Sequence, residues 1–154
     1  MYAHLDCAYT DKMKTTVLKK KMTKKLTLFT LAYFVITMSW AYPWHMVFFH
    51  NLYLEWGAFT RDQPIIPFGI AAILIQGIVI GYLYPYYNKV DGNPILRGIK
   101  FNLIIGLMTY TAMGFATAAK FQIEPVTHFI GFHTIFQTIQ FITTGAVLGW
   151  IYRK

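Results

Sequence analysis

Apolar residues run along this chain in blocks rather than in short periods. Four stretches contain no Lys, Arg, Asp or Glu: Leu26–Leu54, Gln63–Asn88, Phe101–Ala119 and Pro125–Tyr152. Each has the length of a membrane-crossing helix, because about 20 apolar residues span a hydrocarbon core of roughly 30 Å. A helix satisfies its own backbone polar groups, which lipid cannot do. The pattern predicts an all-α, integral membrane four-helix bundle with spans at about 26–49, 64–87, 95–119 and 126–152. These form one domain over 26–154, preceded by a Lys-rich tail over 1–25 that lacks apolar periodicity and is expected to be flexible.

Local signals fix the ends of these blocks. Pro43 falls inside the first span, where it removes a hydrogen bond to the preceding turn and is expected to bend the helix. Pro64 and Pro67 suit the first turn of the second span. Asp91-Gly92-Asn93-Pro94 is a dense turn signal between the second and third. Lys120 to Pro125 makes a short turn before the fourth. Trp40, Tyr42, Trp44 and Trp56 gather toward the far end of the first span, as an interfacial aromatic belt would. A Lys-rich segment, an apolar run and Ser39-Trp40-Ala41 also mimic a cleavable signal peptide. The apolar run continues through Val47-Phe48-Phe49, which favours a retained span. Met13 and Met22 are alternative starts to Met1.

Composition reinforces the membrane reading: 56% of residues are hydrophobic and only 13% charged, where a soluble domain carries about 25%. The formal net charge of +8 does not point to nucleic acid. Of the 14 basic residues, all but Arg61 and Lys120 fall in the N-terminal segment, the connection after the second span, or the C-terminus. Positive loops face the cytoplasm, so both termini are expected there, with the Lys tract against anionic lipid headgroups. The single Cys7 excludes an internal disulfide framework.

The second and fourth blocks echo each other. Gly77-Ile78-Val79-Ile80-Gly81-Tyr82-Leu83-Tyr84 resembles Gly145-Ala146-Val147-Leu148-Gly149-Trp150-Ile151-Tyr152. This suggests two repeated helical hairpins, with chance similarity of two Gly-containing helix ends as the alternative. Both segments contain G-x-x-x-G at Gly77/Gly81 and Gly145/Gly149, a pattern that lets helices approach closely.

Candidate chemistry rests on uncharged polar residues. His133, Gln137, Gln140 and Thr144 share one face of the fourth span. Gln76, Asn102, Thr109 and Thr117 are candidate partners on neighbouring spans. Such a stripe either bonds helices together or lines a polar pocket, and the first is the commoner use. His45, His50, His128 and His133 all lie toward one side and are candidates for a metal ion or haem. The members of each pair are five residues apart, about 140° around a helix, so a site would need histidines from different helices. The aromatic content of 18% also admits a flat, lipophilic ligand. No nucleophile–base pair, phosphate loop or carboxylate pair stands in a span, which leans away from an enzyme.

Four spans, short loops, a first helix rich in Trp and Tyr, and Ile75-Gln76-Gly77 in the second together resemble the small uncharacterised four-helix inner-membrane proteins of bacteria. The resemblance implies the bundle and a bacterial inner-membrane location, and brings no activity with it. The leading expectation is an accessory or assembly subunit of a membrane complex, or a homo-oligomer. The alternatives are a small transporter or channel with a path along the fourth span, and a metal- or haem-binding protein using the outer-face histidines.

Overall fold

A computed structural model describes residues 3–59, 61, 63–88 and 91–153, with side chains described from Leu18 onward. Cys7, Lys12, Lys14, Asp62, Lys89, Lys154 and the alternative starts Met1 and Met13 therefore fall outside the described residues or side chains. All regular structure among the described residues is helical. Helix α1 runs from Ala3 to Tyr42, so the Lys-rich segment continues into the first span without a break in the helix. It is followed by a π-helical turn, Pro43–Phe48, and a short α2, His50–Glu55. The second span is α3, Ile66–Tyr87. The third comprises α4, Pro94–Tyr110, a π-helical turn, Thr111–Phe115, and α5, Ala116–Lys120. The fourth is α6, Val126–Ile151.

Four helical stretches are long and apolar enough to cross a membrane: Leu18–Phe48, Ile66–Tyr87, Pro94–Lys120 and Val126–Ile151. They match the four charge-free blocks to within a few residues at most ends. Pro43 acts at the expected place. It lacks an amide donor, and the helix widens from there, with Phe49 N donating to Trp44 O at 3.1 Å. The third span starts where Asn93 caps it, its Oδ1 accepting from Ile95 N at 2.9 Å.

In space the spans follow the order second, first, fourth, third, with little contact between the second and third. The fourth span is the central one. Half of its most apolar window is buried, against 17% for the second. Its neighbours on both sides contribute to the main core, where Phe29, Tyr33, Ile80, Tyr84, Phe101, Phe141 and Leu148 meet. The remaining apolar surface of the second and third spans faces outward, as it must if lipid is the solvent.

The glycine pairs seat these helices. A Cβ on Gly98 would strike the Gly145 carbonyl oxygen, and one on Gly149 the Pro94 carbonyl oxygen. A Cβ on Gly145 would lie 2.8 Å from Ile99 Cα. The third and fourth spans therefore touch backbone to backbone. Gly77 and Gly81 seat the first span less tightly, Gly77 against Thr30 Cα and the Tyr33 ring and Gly81 against the side chains of Leu26 and Phe29. The two registers correspond. Gly77 meets Thr30 and Gly81 meets Leu26, while 68 residues further on Gly145 meets Gly98 and Gly149 meets Pro94. Both G-x-x-x-G faces are thus occupied within the chain.

Outside the main core, a second cluster closes the end of the bundle away from the termini. Tyr53 and Trp56 pack on Ile123 and Phe129, tying the first loop to the third. Glu124 N donates to Trp56 O at 3.0 Å. Gly57 permits this approach: its φ is +73° and a Cβ would lie 2.7 Å from Gln122 O. The expected aromatic belt is accordingly divided. Trp40 and Tyr42 are exposed, whereas Trp44 and Trp56 belong to this cluster.

Candidate functional site

The polar face of the fourth span points into the bundle: His133, Gln137, Gln140 and Thr144 are all buried. Burying amides in a lipid-embedded core is costly unless they are bonded, and Gln140 and Thr144 find their partners on other helices. Gln140 Nε2 donates to Thr37 Oγ1 at 3.3 Å and to Tyr33 Oη at 3.5 Å, both on the first span. Tyr33 Oη in turn donates to Gln76 Oε1 on the second span at 3.0 Å. Asn102 on the third span donates through Nδ2 to Thr144 Oγ1 at 2.7 Å and to Phe141 O at 3.0 Å. Thr144 Oγ1 donates to Gln140 O at 2.6 Å.

These bonds form one connected chain from Gln76 through Tyr33, Gln140 and Thr144 to Asn102. It touches all four spans. Gln76 and Asn102, expected as partners, are its two ends. Tyr33 and Thr37, outside the fourth-span stripe and its expected partners, are its links on the first span. Thr109 bonds to Ile105 O in its own helix and takes no part. The sequence signal for Tyr33 and Thr37 was present as a four-residue spacing on the first span, but among many aromatic and hydroxyl residues it did not stand out.

His133 and Gln137 form a second polar pair. Gln137 Nε2 lies 3.4 Å from His133 Nε2. The imidazole is stacked between Tyr110 and Phe129, with ring centroids at 5.7 and 5.6 Å. The other candidate histidines are also held by aromatic rings. His45 packs against Phe136 and Tyr53, His50 against Phe59, and His128 against Trp56. Among the described residues no three His, Cys, Asp or Glu side chains come together as a metal would require. Nδ1 of His45 and Nδ1 of His50 are buried without a hydrogen-bond partner among the described residues. Near them, burial pushes the Tyr53 hydroxyl above the usual phenol range, opposed by the hydrogen bond it accepts from Trp44 Nε1 at 3.2 Å.

Cavities flank this network. One of about 500 Å³ lies at the end of the bundle away from Arg153, bordered by Met46, His50, Phe59 and Arg61. Another of about 190 Å³ opens between the third and fourth spans beside Gln137. At the opposite end, one of about 260 Å³ is lined by Lys19, Met22, Tyr82 and Tyr152. The start of the first apolar block and the end of the fourth span meet here. Lys25 Nζ donates to Arg153 O at 3.0 Å, and Asn88 Nδ2 to Tyr152 O at 3.4 Å. The basic residues on either side of the bundle's first and last helices therefore share one end.

A scan of protein-family models, a search of curated proteins and a search of solved structures each found no match to this chain. The chain is an all-helical protein with four helices long and apolar enough to cross a membrane.

Proposed function

We propose that this is a non-enzymatic accessory or assembly subunit of a membrane complex, one that binds a helix of another membrane subunit against its second span. The observation that carries this reading is the position of that span. It packs chiefly on the first span, and leaves Ile75, Ile78, Val79, Tyr82 and Tyr86 exposed along its length. Tyr82 and Tyr86 lie side by side on this open side, their ring centroids 5.9 Å apart and their planes tilted by 58°, placing two large, rigid contact surfaces where a neighbouring helix would lie. The polar chain supports a packing role for the fourth-span stripe, since Gln140 and Thr144 are bonded to neighbouring spans.

In this reading the protein sits in a bacterial inner membrane with its basic end on the cytoplasmic side and the Lys tract against anionic headgroups. The two hairpins are read as repeats, and the matched glycine contacts support this. Native mass spectrometry of protein extracted from its own membrane tests the assembly role. The expected result is a bound membrane subunit that is lost on Tyr82→Ala/Tyr86→Ala substitution. A strictly monomeric particle under conditions that preserve known membrane complexes contradicts it.

A further inference from the structure

At its basic end the bundle holds a groove of about 260 Å³ between the first and second spans. A single water needs only about 10–15 Å³ of such space. The first span contributes Lys19, Met22, Thr23 and Leu26, spaced so that they share one face of the helix. Tyr82 and Pro85 come from the second span, and Gly81 and the Tyr152 ring complete the lining. A Cβ on Gly81 would lie 2.9 Å from Leu26 Cδ1, so the two spans touch there, and the groove opens from that contact toward Lys19.

Pro85 shapes the deep end. It has no amide proton, so the Gly81 carbonyl lacks its donor within the helix. Tyr152 Oη replaces that donor, bonding to Gly81 O at 2.8 Å. The Tyr152 proton is thereby used, as is that of Thr23, whose Oγ1 donates to Lys19 O at 3.0 Å. Tyr82 is 53% exposed and brings a further hydroxyl. The Lys19 ammonium is the only charge among the lining residues. Its Cα stands about 10 Å of helix rise from that of Leu26. The groove is therefore apolar toward the bundle and cationic toward the tail. Lysines at the ends of spans extend their ammonium groups to the headgroup layer, and Lys20, Lys21 and Lys24 add to the positive potential around it.

We propose that this groove binds an anionic phospholipid, with one acyl chain lying along Met22, Leu26 and Pro85 and the phosphate against the Lys19 ammonium. The inference rests on the reading that the basic end lies at a membrane surface, and it narrows a diffuse attraction for headgroups to one seat. Charge selects the occupant. A zwitterionic lipid offers the same chains but brings its own cation into a field that is already positive. A partner helix on the open face of the second span would lie beside this lipid, with Tyr82 between them.

The test uses the full chain alone in phosphatidylcholine vesicles that contain a trace of phosphatidylglycerol with a diazirine on its acyl chain, with crosslinks mapped by mass spectrometry. Labelling is expected at Met22–Leu26 and Gly81–Pro85, and unlabelled phosphatidylglycerol should compete it away. A phosphatidylcholine probe with the same diazirine chain should label these residues only weakly. Lys19→Gln should reduce groove labelling about fivefold, the scale of one lysine beside an anionic lipid surface. Lys21→Gln removes a charge about 160° round the helix and should leave labelling unchanged. Met22→Trp should block labelling by filling the groove, and because Met22 is half exposed this variant keeps the bundle intact. Labelling spread evenly over the exposed faces, equal groove labelling by the two probes, equal losses in the two lysine variants, or unchanged labelling in the Met22→Trp protein would each overturn the assignment. The vesicles hold no partner subunit, so failure here is distinct from failure of the assembly role, which the tyrosine substitutions read.

Discussion

Gly98 has no partner in any sequence pattern, yet a side chain there would meet the backbone of the fourth span at two places: the Gly145 carbonyl and, at 2.5 Å, Gly149 N. Neither obstacle can move without separating the helices. Gly98→Ala is therefore expected to destabilise the bundle by about 1–3 kcal/mol, the range for overpacking. Gly131→Ala, at a helical glycine with open space around it, should be neutral or stabilise by up to about 1 kcal/mol. Unfolding of both variants in mixed micelles checks the contrast, and equal losses would remove the backbone contact from the account. Gln140→Leu should cost about 1 kcal/mol in the same assay, since its two donated bonds are long and interhelical bonds in membranes are weak. The fourth-span stripe was legible because a spacing of 4, 3 and 4 is a helical signature. Its links on the first span were not, because Tyr33 and Thr37 become partners only once the register of Gly77 on Thr30 is known.

Among the elements, the short α2 shows where pattern reading stops. The charge-free block Leu26–Leu54 reads as one span and its overhang, while in the structure a π-helical turn ends the span and α2 folds back over the bundle end. The cause is tertiary. Tyr53 and Trp56 find burial against Ile123 and Phe129, residues about 70 positions away in the chain, and no local signal announces that meeting. Trp56→Ala is expected to lower stability by about 3–5 kcal/mol, the usual cost of emptying a buried Trp site. Far-UV circular dichroism should stay nearly unchanged while the thermal midpoint falls, because the spans themselves remain helical. A tryptophan that served only as an interfacial anchor would give little change in either. By contrast, the four spans were legible almost to their ends, because lipid imposes length and apolarity on every residue of a span at once.

At the scale of the whole molecule, an even number of spans brings the start of the first apolar block and the end of the last span to one end of the bundle, where Lys25 bonds to the Arg153 carbonyl. The same end collects Lys19, Lys20, Lys21, Lys24, Arg97 and Arg153, whereas Arg61 lies by the cavity at the opposite end. What the whole sequence could not convey is which helix stands in the middle. The fourth span is no more apolar than the others, and its centrality shows in two glycines seated on the third span and in Gln140 and Thr144, which bond to the first and third spans respectively. The central claim is that the chain crosses a bilayer four times with its basic end inside. With Cys7 replaced by Ser, single cysteines at Arg61, Asp91 and Arg153 can be probed in intact cells with a membrane-impermeant maleimide. The account predicts labelling at position 61 before lysis, and at 91 and 153 only after permeabilisation. Labelling of 153 in intact cells, or equal labelling of all three, would contradict it.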